Sequence, residues 1–250
     1  MKQLEGKIAI VTGGAQGFGE GIVRLYVAEG ARVVVGDLDT ARGEALAAEL
    51  GSLVRFVHCD VSRRKDVDGL VGACVAAFGV PDIVVNNAGT THSNRPMLEV
   101  DEASFDLVYA VNVKSIFHMA HAVVPLMQQR RSGVILNVGS VAGIRPRPGL
   151  TWYNGSKGAV NVISKSMAVE LGPDNIRVNS ICPVIGETGL LEKFMGVPDT
   201  PENRKRFLAT IPLGRFSRPS DVAGAALYLG SDAASFISGV EFPVDGARTV

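Results

Sequence analysis

Apolar residues along this chain gather in short continuous runs rather than in strict alternation. Seven runs rich in β-branched residues fall at 7–11, 31–36, 53–58, 82–85, 134–138, 177–181 and 240–244. A strand with one wet face alternates apolar and polar residues; a run with no alternation predicts a strand buried on both faces, as in a parallel sheet covered by helices. Between the runs lie longer amphipathic stretches at 19–29, 40–50, 63–78, 104–128 and 152–171. This rhythm predicts an α/β fold built on a doubly wound parallel sheet of about seven strands with helices on both faces. No linker, repeat or low-complexity tract interrupts it, so residues 1–250 read as a single domain. The rhythm lapses between 181 and 240, where no strand is expected. Segment 186–218 is rich in Gly, Pro and charge, with a helical piece near 202–209. Long excursions in compact domains are usually functional, and loops after strand C-termini line the ligand crevice, so 186–218 reads as a substrate lid.

Composition narrows the partners. The chain carries 25 basic and 25 acidic residues, for a formal net charge of zero. It therefore lacks the basic footprint that nucleic acid or an anionic membrane surface requires. No run has the length and apolarity expected of a signal peptide or a membrane span. Three widely spaced cysteines, Cys59, Cys74 and Cys182, make neither a disulfide framework nor a Cys-rich zinc site. These features together predict a cytoplasmic protein acting on small molecules.

The first run ends in Thr12-Gly13-Gly14-Ala15-Gln16-Gly17-Phe18-Gly19 and opens a helix. Glycines at 13, 17 and 19 allow a backbone to approach a pyrophosphate, whose charge then rests at the helix N-terminus. The spacing departs from G-x-G-x-x-G, and no Gly-Lys-Ser/Thr follows, which argues against a P-loop NTPase. Asp37 closes the second run, where a carboxylate can accept hydrogen bonds from an adenosine ribose and repel a 2′-phosphate. Gln16 is neutral, Leu38 is apolar and Arg42 lies beyond the turn, so NAD is expected over NADP. Asp39 fits the cap of the helix starting near Thr40, leaving Asp37 free for the ribose.

Tyr153 and Lys157 stand four apart on a predicted helix and share a face. A phenol ordinarily titrates near 10; a neighbouring ammonium favours phenolate and makes Tyr153 a credible general base for an alcohol or acid for a carbonyl. Ser140 follows the run at 134–138 through Gly139, at the strand end that faces the crevice. Its surroundings lack the G-x-S-x-G of a hydrolase nucleophile. Asn112 falls inside a predicted helix, where Asn is disfavoured, and is expected to hold a water or a backbone carbonyl.

In this order along the chain, Thr12–Gly19, Asp60, Asn86-Asn87-Ala88-Gly89, Asn112, Ser140, Tyr153-x-x-x-Lys157 and Pro183 to Thr188 resemble the short-chain dehydrogenase/reductase family. The resemblance implies one Rossmann-like domain, a nicotinamide cofactor and a tetrad of Asn112, Ser140, Tyr153 and Lys157. In it Ser140 orients the substrate and Tyr153 moves the proton. Lys157 lowers the tyrosine pKa and binds the nicotinamide ribose, while Asn112 anchors a water. The resemblance further implies cofactor contacts from Gly13, Gln16, Gly17, Phe18, Gly19, Asp37, Leu38, Asp60, Val61, Asn87, Ala88, Gly89, Pro183, Ile185 and Thr188, besides Tyr153 and Lys157. The chain departs from the family pattern at Pro183-Val184, where Pro-Gly is usual, and at Gly246-Ala247, where Gly-Gly is usual; the second is expected to be harmless.

The activity so implied is hydride transfer between NAD(H) and a secondary alcohol or ketone. A 3-oxoacyl-carrier-protein reductase is the main rival, with Arg130 and Arg131 as docking bases and Asp174 opposing them. A non-catalytic NAD-binding regulator has no use for Tyr153 beside Lys157. His118 and His121 share a helix face without a third ligand, so no metal is expected. Whether His92, Asn94, Arg145 or Arg147 meet substrate stays open. The stretches 104–128 and 152–171 are apolar on more than one face, which predicts a homotetramer with two-fold symmetries.

Overall fold

The computed structural model describes residues 2–250. Strand β1 (Ile8–Thr12) leads into helix α1 (Gly17–Ala28), then β2 (Arg32–Asp37), α2 (Thr40–Leu50), β3 (Val54–His58), α3 (Arg64–Ala77) and β4 (Ile83–Asn86). Helices α4 (Glu102–Tyr109) and α5 (Ser115–Arg130) precede β5 (Gly133–Val138), and α6 (Thr151–Leu171) precedes β6 (Ile176–Pro183). The short helices α7 (Leu191–Met195) and α8 (Pro201–Leu208), then α9 (Pro219–Gly230) and β7 (Glu241–Val244), complete the chain.

All seven strands join one sheet in the order β3-β2-β1-β4-β5-β6-β7, and every pairing is parallel. Order reverses between β1 and β4, which opens the crevice at the strand C-termini. The lack of alternation in the strands follows from helices on both faces. Ala9, Val11, Val33 and Val35 face α1, α2 and α9, through Ile22, Tyr26, Leu46 and Val222. Ile8, Ile10, Val34 and Ile135 face α3, α5 and α6, through Leu70, Met119 and Leu171. The sheet is thus the middle of three layers.

Two elements differ from the sequence reading. The stretch expected as one helix at 104–128 is α4 and α5 joined by a π-helical turn at Ala110–Lys114. Such single turns add a residue to the helix and favour functional sites. Taken together, 102–130 is long and apolar enough to cross a membrane. Ile116, Met119, Val123 and Met127 are nonetheless buried in the protein, as in a core helix. The second difference is α9, for which the sequence reading named no helix. It packs on α1, and the Tyr26 hydroxyl donates to the Ala226 carbonyl at 2.9 Å.

The excursion at 186–218 is not structureless. Besides α7 and α8 it builds a small core of its own, in which Leu191, Met195, Ile211 and Phe216 pack on Val141, Cys182 and Val184. Gly246-Ala247 is not the harmless departure expected. Ala247 adopts φ +70°, a left-handed conformation that strains an L side chain.

Candidate active site

A cavity of about 560 Å³ opens at the C-terminal ends of the strands. The loop after β1 lines it through Gly13, Gln16 and Gly17. Gly13 has φ +61°, and a Cβ there would sit 2.8 Å from Ala88 Cα; a Cβ on Gly19 would collide with the Gly13 carbonyl oxygen. The turn closes this tightly because Asn87 Nδ2 donates to the carbonyls of Thr12 and Gly13, each at 2.9 Å. Thr12 Oγ1 in return accepts the N–H groups of Asn87 and Ala88, both at 3.1 Å. The Asn87-Ala88-Gly89 segment therefore braces the glycine loop as well as lining the cavity.

Asp37 lines the cavity, but its carboxylate is not free. Oδ2 accepts Ala15 N–H at 2.9 Å and Oδ1 accepts Asp39 N–H at 3.0 Å. Asp37 thus holds the glycine loop closed, and lone pairs remain for a ribose. Asp39 caps α2 as expected, accepting Arg42 N–H at 3.1 Å. Arg42 is not remote from the crevice: its guanidinium folds back onto Gln16 Oε1, at the rim. Asp60 lines the cavity while its carboxylate accepts the N–H and hydroxyl of Ser62. Of the other expected cofactor contacts, Gln16, Gly17, Phe18, Leu38, Val61, Pro183, Ile185 and Thr188 also line it. Gly19 does not, and acts from behind the wall.

Tyr153, Lys157 and Ser140 line the same cavity. Lys157 is buried and donates Nζ to the Val138 carbonyl at 2.7 Å. Burial pushes its pKa down to about 8. Burial also pushes Tyr153 up to about 12, against the opposing influence of the Ser140 hydroxyl. Loss of hydration is the largest influence on the Tyr153 phenol, and Lys157 is not among the groups that lower it in the protein alone. Ser140 Oγ accepts Ala142 N–H at 3.0 Å, which fixes its direction at the end of β5.

Asn112 lies behind the cavity wall rather than on it. Its Oδ1 accepts Thr90 N–H at 2.8 Å, and its Nδ2 donates to Thr90 O and Ser156 Oγ, both at 3.0 Å. Holding a backbone carbonyl, one of the two roles expected for it, is seen at Thr90. The π-helical turn carries this side chain, and Thr90, which it clamps, lines the cavity.

Other residues singled out from sequence sort by contact. His118 is buried with Nδ1 3.2 Å from the Val61 carbonyl, and His121 Nδ1 is 2.9 Å from the Phe117 carbonyl. Neither His92 nor Asn94 lines the cavity. Asn94 instead ties α7 to the neighbouring loop through the Lys193, Phe194 and Pro148 carbonyls. Arg130 and Arg131 engage Asp82 and Asp174. Arg145 and Arg147 do line the cavity. Sequence reasoning missed Phe194, whose ring packs on Tyr153, and Leu150 and Leu190, which add apolar wall. An aromatic in the proposed lid was the available signal for Phe194.

Comparison with known proteins agrees with this geometry. A family model described as enoyl-(acyl carrier protein) reductase matches residues 13–248. The 4-formylbenzenesulfonate dehydrogenase of Comamonas testosteroni is 48% identical, with 99% of each chain covered. A 3-oxoacyl-[acyl-carrier-protein] reductase of Thermotoga maritima is 37% identical over 99% of this chain and 100% of its own. The crystal structure of a 3-ketoacyl-(acyl-carrier-protein) reductase from Brucella melitensis, complexed with NADH, superposes with a TM-score of 0.93 at 41% identity, covering 99% of this chain and all of that one. Crevice, glycine loop and Ser-Tyr-Lys grouping therefore coincide with close similarity along the whole length, and the chain belongs to the short-chain dehydrogenase/reductase family of oxidoreductases.

Proposed function

We propose that this protein interconverts a secondary alcohol and a ketone with NAD(H), using Tyr153 as general acid and base. The observation that carries the reading is the burial of Tyr153, Lys157 and Ser140 together on the wall of one cavity that Gly13, Gln16 and Gly17 also line. The residues fit a dinucleotide: Gly13, Gln16, Gly17 and Phe18 line the cavity where α1 begins, and Asp37 offers a carboxylate to a ribose. Bound there, the nicotinamide supplies the hydride donor or acceptor. The chain supplies the rest. In reduction the neutral Tyr153 hydroxyl donates its proton to the carbonyl oxygen, and burial keeps that hydroxyl protonated at neutral pH. In oxidation a tyrosinate at 153 accepts the alcohol proton. The Ser140 hydroxyl orients the substrate oxygen beside Tyr153, and Lys157 holds positive charge near the phenolic oxygen and reaches toward a ribose. Asn112 fixes Thr90 on the wall.

The relatives named for carrier-protein substrates keep the 3-oxoacyl reductase reading as the rival. Arg130 and Arg131, its candidate docking bases, already face Asp82 and Asp174, which favours a small substrate. A panel of secondary alcohols, ketones and aryl aldehydes with NAD and NADH tests the proposal; turnover of a carrier-linked 3-oxoacyl group alone would overturn it. The three buried free cysteines suit a cytoplasmic setting.

A homotetramer belongs to the same proposal. Phe117, Val162 and Val169 are exposed on α5 and α6, and Phe236 is fully exposed beside the edge strand β7. Two two-fold contacts would cover these faces. Light scattering at micromolar concentration is expected to give the tetramer mass, and a fully active monomer would refute it.

A further inference from the structure

Three arginines, Arg145, Arg147 and Arg248, cluster beside the cavity that Tyr153 lines. Arg145 and Arg147 line the cavity. The Arg147 carbonyl accepts Asn154 Nδ2 at 2.8 Å, which ties its loop to the start of α6 beside Tyr153. The Arg147 guanidinium lies 5.4 Å from the centroid of Phe207 and donates Nη2 to Thr210 Oγ1 at 2.9 Å. Arg145 donates Nη1 to the Arg248 carbonyl at 3.0 Å and to a terminal oxygen of Val250 at 3.4 Å. Arg248 is more than nine-tenths buried, and its Nε has no hydrogen-bond partner. Among the described residues no Asp or Glu oxygen lies within 4 Å of any of these three side chains. Asp245, close along the chain, spends both oxygens on the Ala247 N–H and on the N–H and hydroxyl of Thr249.

Like charges held close together repel, more so where water is partly excluded, as at Arg147 and Arg248. Arg147 is pushed down to about 10 by burial and by the charge of Arg248. Arg248 is lowered by burial and by the charge of Arg145, with the charge of Asp245 opposing. An arrangement of this kind is relieved by an anion, and the planar guanidinium fork matches the paired oxygens of a carboxylate or sulfonate. Leu150, Leu190 and Phe194 on the same cavity wall suit an apolar body for the molecule that bears it.

We propose that Arg147 and Arg145, with Arg248 adding charge from behind, bind an acidic group on the substrate, a carboxylate or sulfonate remote from the reacting carbonyl. This rests on reading the cavity as the substrate site of an oxidoreductase. The test compares acetophenone with 4-acetylbenzoate and 4-acetylbenzenesulfonate in NADH-dependent reduction by wild type, Arg147→Gln and Arg147→Lys. In parallel, calorimetry measures benzoate, benzenesulfonate and neutral benzamide binding to the same proteins. Wild type is expected to favour the charged ketones in kcat/KM by about ten- to a hundredfold, the scale of a hydrogen bond to a charged group. Arg147→Gln should bring that ratio toward one, and Arg147→Lys should retain part of it. The tighter of the two acids identifies the head group. A wild-type ratio near one, or a ratio unchanged in Arg147→Gln, overturns the proposal. If no ketone is reduced, the oxidoreductase reading fails separately and calorimetry decides: benzoate binding no tighter than benzamide refutes the anion site. Should Arg147→Gln not fold, the salt dependence of wild type decides, since only the acids should weaken from 50 to 500 mM salt.

Discussion

The rings of Tyr153 and Phe194 meet edge-on, with 5.1 Å between centroids and 68° between planes. One ring belongs to α6 and the other to α7, so the 186–218 excursion helps fix the residue proposed to move the proton. Tyr153→Phe keeps this ring contact and removes only the hydroxyl. Turnover is expected to fall by at least about 10²–10⁴-fold, while NADH affinity stays within a few-fold of wild type. Steady-state kinetics beside a fluorescence titration with NADH measure both, and a variant retaining most activity removes Tyr153 from proton transfer.

Cofactor choice is expected to favour NAD over NADP by at least about tenfold, or about 1.4 kcal/mol, because the Asp37 carboxylate repels a 2′-phosphate. Asp37→Ala should narrow the gap and weaken both cofactors, since the Ala15 N–H loses its acceptor. Arg42 acts in the opposite sense, its charge lying at the rim beside Gln16. Arg42→Ala should therefore widen the preference. Equal kcat/KM for the two cofactors in wild type would refute the role given to Asp37.

Lys157 is charged at neutral pH at the expense of stability. Its folded pKa, about 8, lies below the ordinary 10.5, so the unfolded chain binds the extra proton between those values. Stability from this group therefore rises as pH climbs from about 8 to 10.5, by about 3 kcal/mol in full. Urea unfolding of wild type and Lys157→Met across this range isolates the effect. The stability of wild type relative to the variant should increase with pH, while the variant is inactive throughout. A flat difference would mean that the ammonium is better hydrated than its burial implies.

Ala247→Gly should raise stability. Its φ of +70° is costly for alanine and free for glycine, a difference of about 1 kcal/mol less the greater chain entropy of glycine when unfolded. Thermal unfolding should shift upward by at most about 2–4 °C for a chain of this size. A lower midpoint would show that the loop is not strained there.

Much of the site could be read from the chain because its groups sit at strand ends. Ser140 follows β5 and Asp37 closes β2, and runs buried on both faces mark strands clearly. Asn112 was visible through its poor fit to a helix, although its bond to Thr90 joins residues 22 apart in sequence. What escaped had weak local contrast or distant partners. The α9 sequence, with Ala223, Gly224, Ala225 and Ala226, has little amphipathic pattern; its signals were Pro219 at the first helical position and Asp221 binding the Arg218 N–H. The return of Arg42 to Gln16 spans 26 residues and no periodicity encodes it. Burial of Tyr153, which reverses its expected pKa, depends on layers from α6, α7 and β5 that no single segment reveals.

The π-helical turn at Ala110–Lys114 makes the chain intolerant of an otherwise mild change. Each residue of a helix advances it by about 100°, so the additional residue sets α4 and α5 at different rotations. α4 can then lie along α6 while α5 lies along α3. Removing one residue here would leave a smoother helix with good local geometry and a defective protein. Either the core face carrying Met119 and Val123 would turn toward solvent, or Asn112 would swing away from Thr90. Length in this segment is consequently as constrained as residue identity, and a gap of one here should mark relatives that have lost the clamp.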